Sequence, residues 1–291
     1  MNHLKVTLSP GLYFVATPIG TARDITLRAL DVLASAEVIA AEDTRSLRRL
    51  MEIHGVPLNG RRIHSYHDHS GAGARARLLD ELAAGRSVAY ASEAGMPLIA
   101  DPGFDLSRAA AEAGHAVTCA PGPSAALAAL TLAGLPTDAF FFAGFLPNAG
   151  AARAARLEEL STIPGTLVFY ESPKRLATSL RAMAEGLGDD RPAALCRELT
   201  KKFEEVRRGS LCDLAQSVEE QPVKGEIVVL VDRARKPSFN PSDLESDLRQ
   251  ALTAHSVRDA ADLVAKMHGQ KRRDIYRMAL SLTQSDDQGD E

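Results

Sequence analysis

Apolar residues follow two rhythms along the first 231 residues of this chain. Short dense runs that read as buried strands occur at Leu12–Thr17, Glu37–Ala41, Val88–Ala91 and Ala116–Cys119. Between them, apolar positions return every three or four residues, which predicts helices over Asp24–Ala34, Arg45–Ile53, Ala74–Ala84 and Phe104–Ala113. Strand and helix alternate, and this predicts parallel pairing because a parallel connection needs a crossover long enough to hold a helix. A second series has strands at Phe140–Gly144, Thr166–Tyr170, Ala193–Arg197, Phe203–Arg207 and Glu226–Val231, with helices near Ala151–Leu160, Pro173–Leu187 and Leu211–Glu219. Ala193–Arg197 and Phe203–Arg207 are too close for a helical crossover, so the second sheet is expected to be mixed. The predicted fold class is α/β: two α/β domains, 11–121 with a parallel sheet and 122–234 with a mixed one, divided near Pro121–Pro123.

Beyond Val231 the texture changes. The stretch RARKPSFNP (233–241) has linker composition, and Leu244–Leu252, Val257–Met267 and Asp274–Leu282 read as three helices of a small appendix over 242–284. The tail SDDQGDE is expected to lack structure.

Composition narrows the classes. A chain of 291 residues with 45% hydrophobic content can bury a sizeable core. Its three cysteines, Cys119, Cys196 and Cys212, are far apart and form no C-x-x-C pair, so neither a disulfide framework nor a zinc ribbon is indicated. No apolar run approaches the roughly 20 residues of a membrane span, and the first residues lack the apolar core of a signal peptide. The expectation is a cytoplasmic protein with no membrane partner. A net charge of -4 argues against a chain coated in nucleic acid, but a local basic face would escape that average.

In a parallel α/β sheet the ligand lies at the carboxyl ends of the strands. Three such loops here expose backbone: Thr17-Pro18-Ile19-Gly20, the stretch ASEAGMPLIADPG (91–103), and Pro121-Gly122-Pro123-Ser124-Ala125, which opens a helix. Small residues let a ligand reach main-chain groups, proline fixes the turn, and Ser124 offers either a helix cap or a ligand hydrogen bond. One such loop is compatible with an ordinary turn, whereas three in one sheet favour a site. Glu93 and Asp101 could instead act as helix or turn caps. No P-loop and no G-x-S-x-G elbow is present. GAGARA (71–76) fits G-x-G-x-x-A with Glu93 about twenty residues on, but the preceding HSYHDHS is polar and not the buried strand that a dinucleotide fingerprint requires. It reads as a loop entering a surface helix. His64, His67 and His69 lack a nearby fourth ligand, so no metal is expected.

The segments LYFVATPIG, VIAAEDTR, ASEAGMPLIADPG, PGPSAALAAL, FAGFLP, LVFYESPKRL, RELTKKFEE and KGEIVVLV occur in an order and spacing that resemble the tetrapyrrole-methylase-like, class III S-adenosylmethionine methyltransferases. Within that group they are most similar to the branch acting on small-subunit ribosomal RNA, over about Gly11 to Val231 and more weakly beyond. The resemblance implies methyl transfer from S-adenosyl-L-methionine to the ribose 2'-hydroxyl of a cytidine in the decoding region of 16S rRNA. The acceptor would be 16S rRNA or the 30S subunit, not DNA, and the enzyme a homodimer. It also implies that the cofactor lies between the two domains against Pro18, Glu93, Ala94, Gly95, Met96, Ile99, Ser124, Ala125, Tyr170 and Glu171. By motif position, Asp43, Arg45, Asp101 and Lys201 are the candidate catalytic groups, although each could equally form structural ion pairs or caps. Two alternatives stay open: a methyltransferase for a tetrapyrrole or other small molecule, and an inactive RNA-binding module.

The chain departs from the usual S-D-A-G-T-P-L-I of that family at two positions of the central loop, Glu93 for Asp and Met96 for Thr, and has Thr21 where Asn is common. Met96 replaces a hydroxyl with a flexible, polarizable side chain. In the appendix, Lys266, Lys271, Arg272, Arg273 and Arg277 gather around His268-Gly269-Gln270 with Asp274 opposing them, a helix-turn-helix-like cluster suited to phosphates unless it is simply a solvated face. Leu263, Val264 and Met267 are expected to fill the small core beneath it.

Overall fold

The computed structural model describes residues 3–67, 70, 72–234, 241–268 and 270–287. Strands β1 (Gly11–Val15), β2 (Val38–Ala41), β3 (Ile63–Ser65), β4 (Ser87–Ala91) and β5 (Val117–Ala120) form one sheet in the order β3-β2-β4-β1-β5. Every pairing in it is parallel. The crossovers are α1 (Leu27–Ser35), α2 (Thr44–Ile53), α3 (Ala72–Ala83) and α4 (Phe104–Glu112). Leu30, Leu33, Leu47 and Met51 of α1 and α2 pack with Val15 and Ile39, while Leu78, Leu82 and Leu106 of α3 and α4 pack with Leu12, Phe14 and Tyr90. Alternate residues of the strands thus feed two cores, as a sheet covered on both faces requires.

β3 was not expected. The segment read as a polar loop begins with a three-residue strand, which pairs with β2 alone and leaves His64 and Ser65 exposed. An edge strand needs no apolar alternation, which is why the pattern hid it. It is not the buried strand of a dinucleotide fold. His69 and Gly71, invoked for metal and dinucleotide readings, lie outside the described residues. α1 also starts later than expected: Ala22–Asp24 form a single 3-10 turn, and the Thr26 hydroxyl caps Leu27–Ser35 by accepting from the Ala29 amide.

After α5 (Ala125–Ala133) come β6 (Phe140–Phe145), α6 (Gly150–Ser161), β7 (Thr166–Glu171), α7 (Leu176–Leu187), β8 (Pro192–Arg197), β9 (Glu205–Ser210), α8 (Leu211–Glu220) and β10 (Ile227–Val231). The strand order is β6-β7-β10-β8-β9, with β6 and β7 parallel and the other pairs antiparallel. The sheet is mixed. β9 begins two residues later than expected because residues 198–204 make a tight turn, with Glu198 and Thr200 at φ 50 and 63; Phe203 is left exposed in it. α6, α7 and α8 cover one face and α5 the other, where Val168, Ala194, Val228 and Leu230 meet Ala126, Ala129 and Leu130, and also Ile19 from the first loop. Residues through Arg233 make one compact unit.

The second unit contains α9 (Pro241–Ala254), α10 (Val257–Met267) and α11 (Arg272–Asp287). Leu244, Leu248, Ala260, Ala261, Val264, Ile275, Ala279 and Leu282 form its core. Val264 is buried as expected, but Leu263 and Met267 are 48% and 59% exposed. At 100° per residue the rows 260/264 and 261/265 face inward, and 263/267 fall outside them. α11 runs three residues into the tail expected to lack structure; the linker residues 235–240 and the final 288–291 lie outside the described residues.

Candidate functional site

The loops at the carboxyl ends of β1 and β4 are joined by a short backbone bridge. The Thr17 amide donates to the Gly95 carbonyl and the Gly95 amide to the Thr17 carbonyl, both at 3.0 Å. The Thr17 hydroxyl adds bonds to the Ser92 and Glu93 carbonyls at 3.3 and 3.2 Å, and the Ser92 hydroxyl donates to the Gly95 carbonyl at 2.6 Å. Gly95 sits at φ 86, and the non-glycine residues Leu98 and Ala100 at φ 72 and 59. Glycine adopts that conformation freely, whereas for Leu98 and Ala100 it costs of order 1–3 kcal/mol each and persists where the surroundings hold it.

The first loop also reaches the second half of the unit. A Cβ on Gly20 would lie 2.5 Å from Lys201 Cγ and 2.6 Å from the Thr200 hydroxyl, so glycine is what permits this approach. Thr21, at the variant position, donates from its amide to the Thr200 hydroxyl at 3.1 Å and from its own hydroxyl to the Thr200 carbonyl at 2.5 Å.

Between these loops and the second sheet lies a cavity of about 380 Å3. Eight of the ten residues expected to contact a cofactor line it: Ala94, Gly95, Met96, Ile99, Ser124, Ala125, Tyr170 and Glu171. Pro18 and Glu93 do not. They line a neighbouring cavity with α2, because successive residues of an extended loop point in opposite directions. Leu199 and the Gly225–Val228 stretch complete the first cavity and were not singled out, although KGEIVVLV was among the recognisable segments.

Ser124 is the N-cap residue of α5, yet its hydroxyl makes no cap bond. It lies instead beside the Tyr170 hydroxyl, which burial drives above the ordinary tyrosine pKa against the opposing pull of the Ala126 amide and Ser124. Phe142 and Phe145 meet the Tyr170 ring edge-on, at 4.9 and 5.8 Å between centroids. The buried Glu171 carboxylate accepts from the Ser179 hydroxyl at 2.5 Å and the Ser172 amide at 2.8 Å, with Arg175 at 3.6 Å. Arg175 in turn donates to the Leu146 carbonyl at 2.5 Å, tying the FLP loop to the ESPKR turn.

Of the four catalytic candidates, only Asp101 lines this cavity. It is not the cap of α4: that position belongs to Gly103 at φ 122, with no side-chain bond. Asp43 caps α2, accepting from the Arg45 and Ser46 amides at 2.7 and 3.4 Å, and the Arg45 amide chiefly holds its carboxyl below the usual range. Its charge serves the helix terminus. The Arg45 side chain is 92% exposed. Lys201 lies 2.9 Å from Glu198 and 3.0 Å from Glu226; burial disfavours its charge, but the two carboxylates outweigh that and raise its pKa above the lysine norm. It is an ammonium and not a proton acceptor. Among the described residues, no three His, Cys, Asp or Glu side chains converge as metal ligands.

In the second unit, Arg272 pairs with Asp262 and Arg277 lies 3.6 Å from Asp274. Two carboxylates, not Asp274 alone, oppose the basic cluster. Lys266, Lys271 and Arg273 make no ion pair among the described residues. The Gly269 of the connecting turn lies outside them.

Comparison with known proteins gives the same grouping for both units. The family described as Tetrapyrrole (Corrin/Porphyrin) Methylases matches residues 11–215, and the RsmI C-terminal HTH domain matches residues 240–283. The chain is 48% identical to the ribosomal RNA small subunit methyltransferase I of Mesorhizobium japonicum, over 97% of this chain and 96% of that protein. It is 40% identical to the protein of that name from Escherichia coli O157:H7, over 96% and 98%. Among solved structures it is similar to diphthine synthase, with a TM-score of 0.58 and 16% identity over 76% of this chain and 89% of that one. It is also similar to a Thermus thermophilus uroporphyrin-III C-methyl transferase complexed with S-adenosyl homocysteine, with a TM-score of 0.53 and 18% identity over 77% and 98%. Matched by family over most of its length and by relatives over nearly all of it, the chain belongs to the tetrapyrrole methylases and, within them, to the ribosomal RNA small subunit methyltransferase I family.

Proposed function

We propose that this chain transfers a methyl group from S-adenosylmethionine to the ribose 2'-hydroxyl of a cytidine in the decoding region of 16S rRNA. The observation that carries the reading is the cavity: three bare-backbone loops of a parallel sheet converge on one space in a chain that also has the helical unit of the rRNA-methylating relatives.

The residues present suit the cofactor. A cavity of about 380 Å3 falls within the roughly 300–1,000 Å3 of small-molecule sites. Ile19, Ile227 and Val228 supply apolar wall, and Ala94, Gly95 and Ala125 admit close approach to backbone. The Ser124 hydroxyl is not committed to capping and pairs with the Tyr170 hydroxyl at the cavity wall, where a ligand can meet both. The carboxylates of Asp101 and Glu226 suit the cofactor's ammonium. S-adenosylmethionine brings an already activated methyl on a sulfonium. What the protein then contributes is chiefly alignment of the ribose oxygen with that carbon, and alignment can supply several kcal/mol, on the order of 7–11 at its best. Proton removal adds a smaller factor. Of the four candidates Asp101 is the best placed for it. Lys201 remains charged and holds Glu226 beside the cavity.

A homodimer is part of this reading. α5 is apolar apart from Thr131; one side packs on the second sheet and the other leaves Leu127 54% exposed, and Phe140, Phe141 and Phe145 of edge strand β6 are exposed as well. Apolar surface of that kind calls for a partner. No helix of the described residues is long and apolar enough to cross a membrane, and an enzyme acting on ribosomal subunits works in the cytoplasm.

The test is transfer of labelled methyl from S-adenosylmethionine to 30S subunits lacking the modification, with naked 16S rRNA and a tetrapyrrole as parallel acceptors. Label in an alkali-resistant cytidine dinucleotide is expected, because a 2'-O-methyl group blocks alkaline cleavage. Label on the tetrapyrrole or on a base would replace the reading.

A further inference from the structure

Behind the wall of the first cavity lies a second, of about 200 Å3, bounded by the first loop, the central loop and α2. The two share their walls residue by residue: Ile19 and Ala94 face the first, while Pro18 and Glu93 face the second. α2 is pinned to the first loop by a 2.8 Å hydrogen bond between His54 Nε2 and the Ala22 carbonyl. On the α2 side the second cavity presents Ser46 and Arg49. Arg49 is exposed and makes no ion pair or hydrogen bond among the described residues. Arg45, one turn earlier, projects into solvent beside it. Arg45 has the Asp43 carboxylate 3.7 Å away, so Arg49, held against the cavity with no ion pair among the described residues, is the guanidinium suited to phosphate.

The surface continues across the first loop. Gly20 and Thr21 are in contact with Thr200 and Lys201, and two residues further on Phe203 stands 62% exposed, with Lys202 Nζ 5.4 Å from its ring centre. A large aromatic ring displayed at a turn tip, flanked by an ammonium, is the arrangement on which unpaired bases stack. Glu93, on the central-loop wall, repels a phosphate but accepts from a base amino group, so the phosphates belong on the α2 side.

We infer that this second cavity, together with the Lys202–Phe203 tip, seats an unpaired stretch of the substrate RNA on the catalytic unit, with Arg49 holding a phosphate and Phe203 stacking a base. The inference rests on the reading of the chain as an rRNA methyltransferase. It makes the RNA contact the unit that also carries the cofactor cavity, in addition to whatever the helical unit contributes.

The experiment uses the full chain and 30S subunits lacking the modification, titrated at several salt concentrations. Arg49→Ala is expected to weaken subunit binding about tenfold and to lower the slope of log affinity against log salt by about one, the signature of one lost phosphate contact. Phe203→Ala is expected to raise the KM for subunits about tenfold, a loss within the range of one base stack. Phe203→Tyr, which keeps the ring, should restore it and Phe203→Leu should not. The dissociation constant for S-adenosylmethionine should stay within about twofold in all of them, since neither residue lines the first cavity. Unchanged subunit affinity and salt slope in the Arg49→Ala, Phe203→Ala double variant would overturn the inference. Parental methyl transfer run alongside tests the underlying reading separately: a parent that binds subunits but labels no ribose refutes that reading, while the binding titration still decides the surface.

Discussion

Thr17 and Gly95 exchange a pair of 3.0 Å backbone hydrogen bonds, and that bridge fixes the two loops that wall the first cavity, the one proposed for the cofactor. Gly95 makes it from φ 86, and a Cβ there would meet Ile19 Cγ2 at 3.3 Å and the Pro123 carbonyl at 3.5 Å. Gly95→Ala is therefore expected to lose about 1–2 kcal/mol of stability, the cost of a left-handed alanine, and to bind S-adenosylmethionine more weakly. Gly95→Val adds a branched side chain and should impair folding as well as binding, so the alanine variant is the cleaner probe. Thermal unfolding and calorimetric titration with the cofactor check both parts; a Gly95→Ala protein as stable and as tight-binding as the parent would remove Gly95 from the site.

Met96 lines the same cavity half-buried. Met96→Thr should leave methyl transfer within about tenfold of the parent, because a single added hydrogen bond contributes roughly 0.5–1.5 kcal/mol. Steady-state rates over a range of cofactor concentrations measure this. A larger change in either direction would mean that the thioether itself contacts the cofactor.

Removal of the residues after Arg235 leaves the whole first unit, and with it every residue that lines the cavity proposed for the cofactor. Cofactor affinity should be retained. Subunit binding should fall substantially, since Lys266, Lys271 and Arg273 are lost along with Arg272 and Arg277, even though the last two are partly neutralised by Asp262 and Asp274. Parallel titrations with cofactor and with 30S subunits separate the two effects. Undiminished subunit binding would assign the RNA contact to the α/β unit alone.

The three cysteines should react very unequally. Burial pushes the buried Cys196 thiol up to about 11 and raises half-buried Cys119 in the same direction, which makes both weaker nucleophiles at pH 8. Cys212 is exposed at the start of α8. A thiol reagent added to the folded protein at pH 8 should titrate Cys212 quickly, Cys119 more slowly and Cys196 only on unfolding. Three fast thiols would show that the second sheet opens readily around Cys196.

The alternation of dense apolar runs with helical periods was enough to place both sheets, because burial on two faces imposes that pattern on every central strand. It failed where burial was partial. Ile63–Ser65 is an edge strand with two exposed side chains, and Leu263 and Met267 sit one helical step away from the row that faces inward. The central loop and Ser124 were legible as parts of a site because bare backbone at strand ends has few other uses. Pro18 and Glu93 line the neighbouring cavity and not the first, a division that sequence order does not reveal because it does not say which way an extended residue points. Lys201 was legible as a charged group near a strand end with Glu198 three residues before it, but its second carboxylate partner, Glu226, is brought there by the pairing of β8 with β10, which no local spacing announces.

The position of β10 has a consequence for how this protein comes into being. It is the last strand among the described residues and yet lies in the middle of its sheet, between β7 and β8. The first sheet needs nothing beyond Ala120 and can close while synthesis continues. The second must wait, with β7 and β8 unjoined, until Val231 has emerged. Gly225–Val228, the lead into that strand, also forms one side of the first cavity. A nascent chain therefore acquires that cavity only once the residues through Val231 are available, and a ribosome that stalls earlier releases a product with half a fold and no pocket.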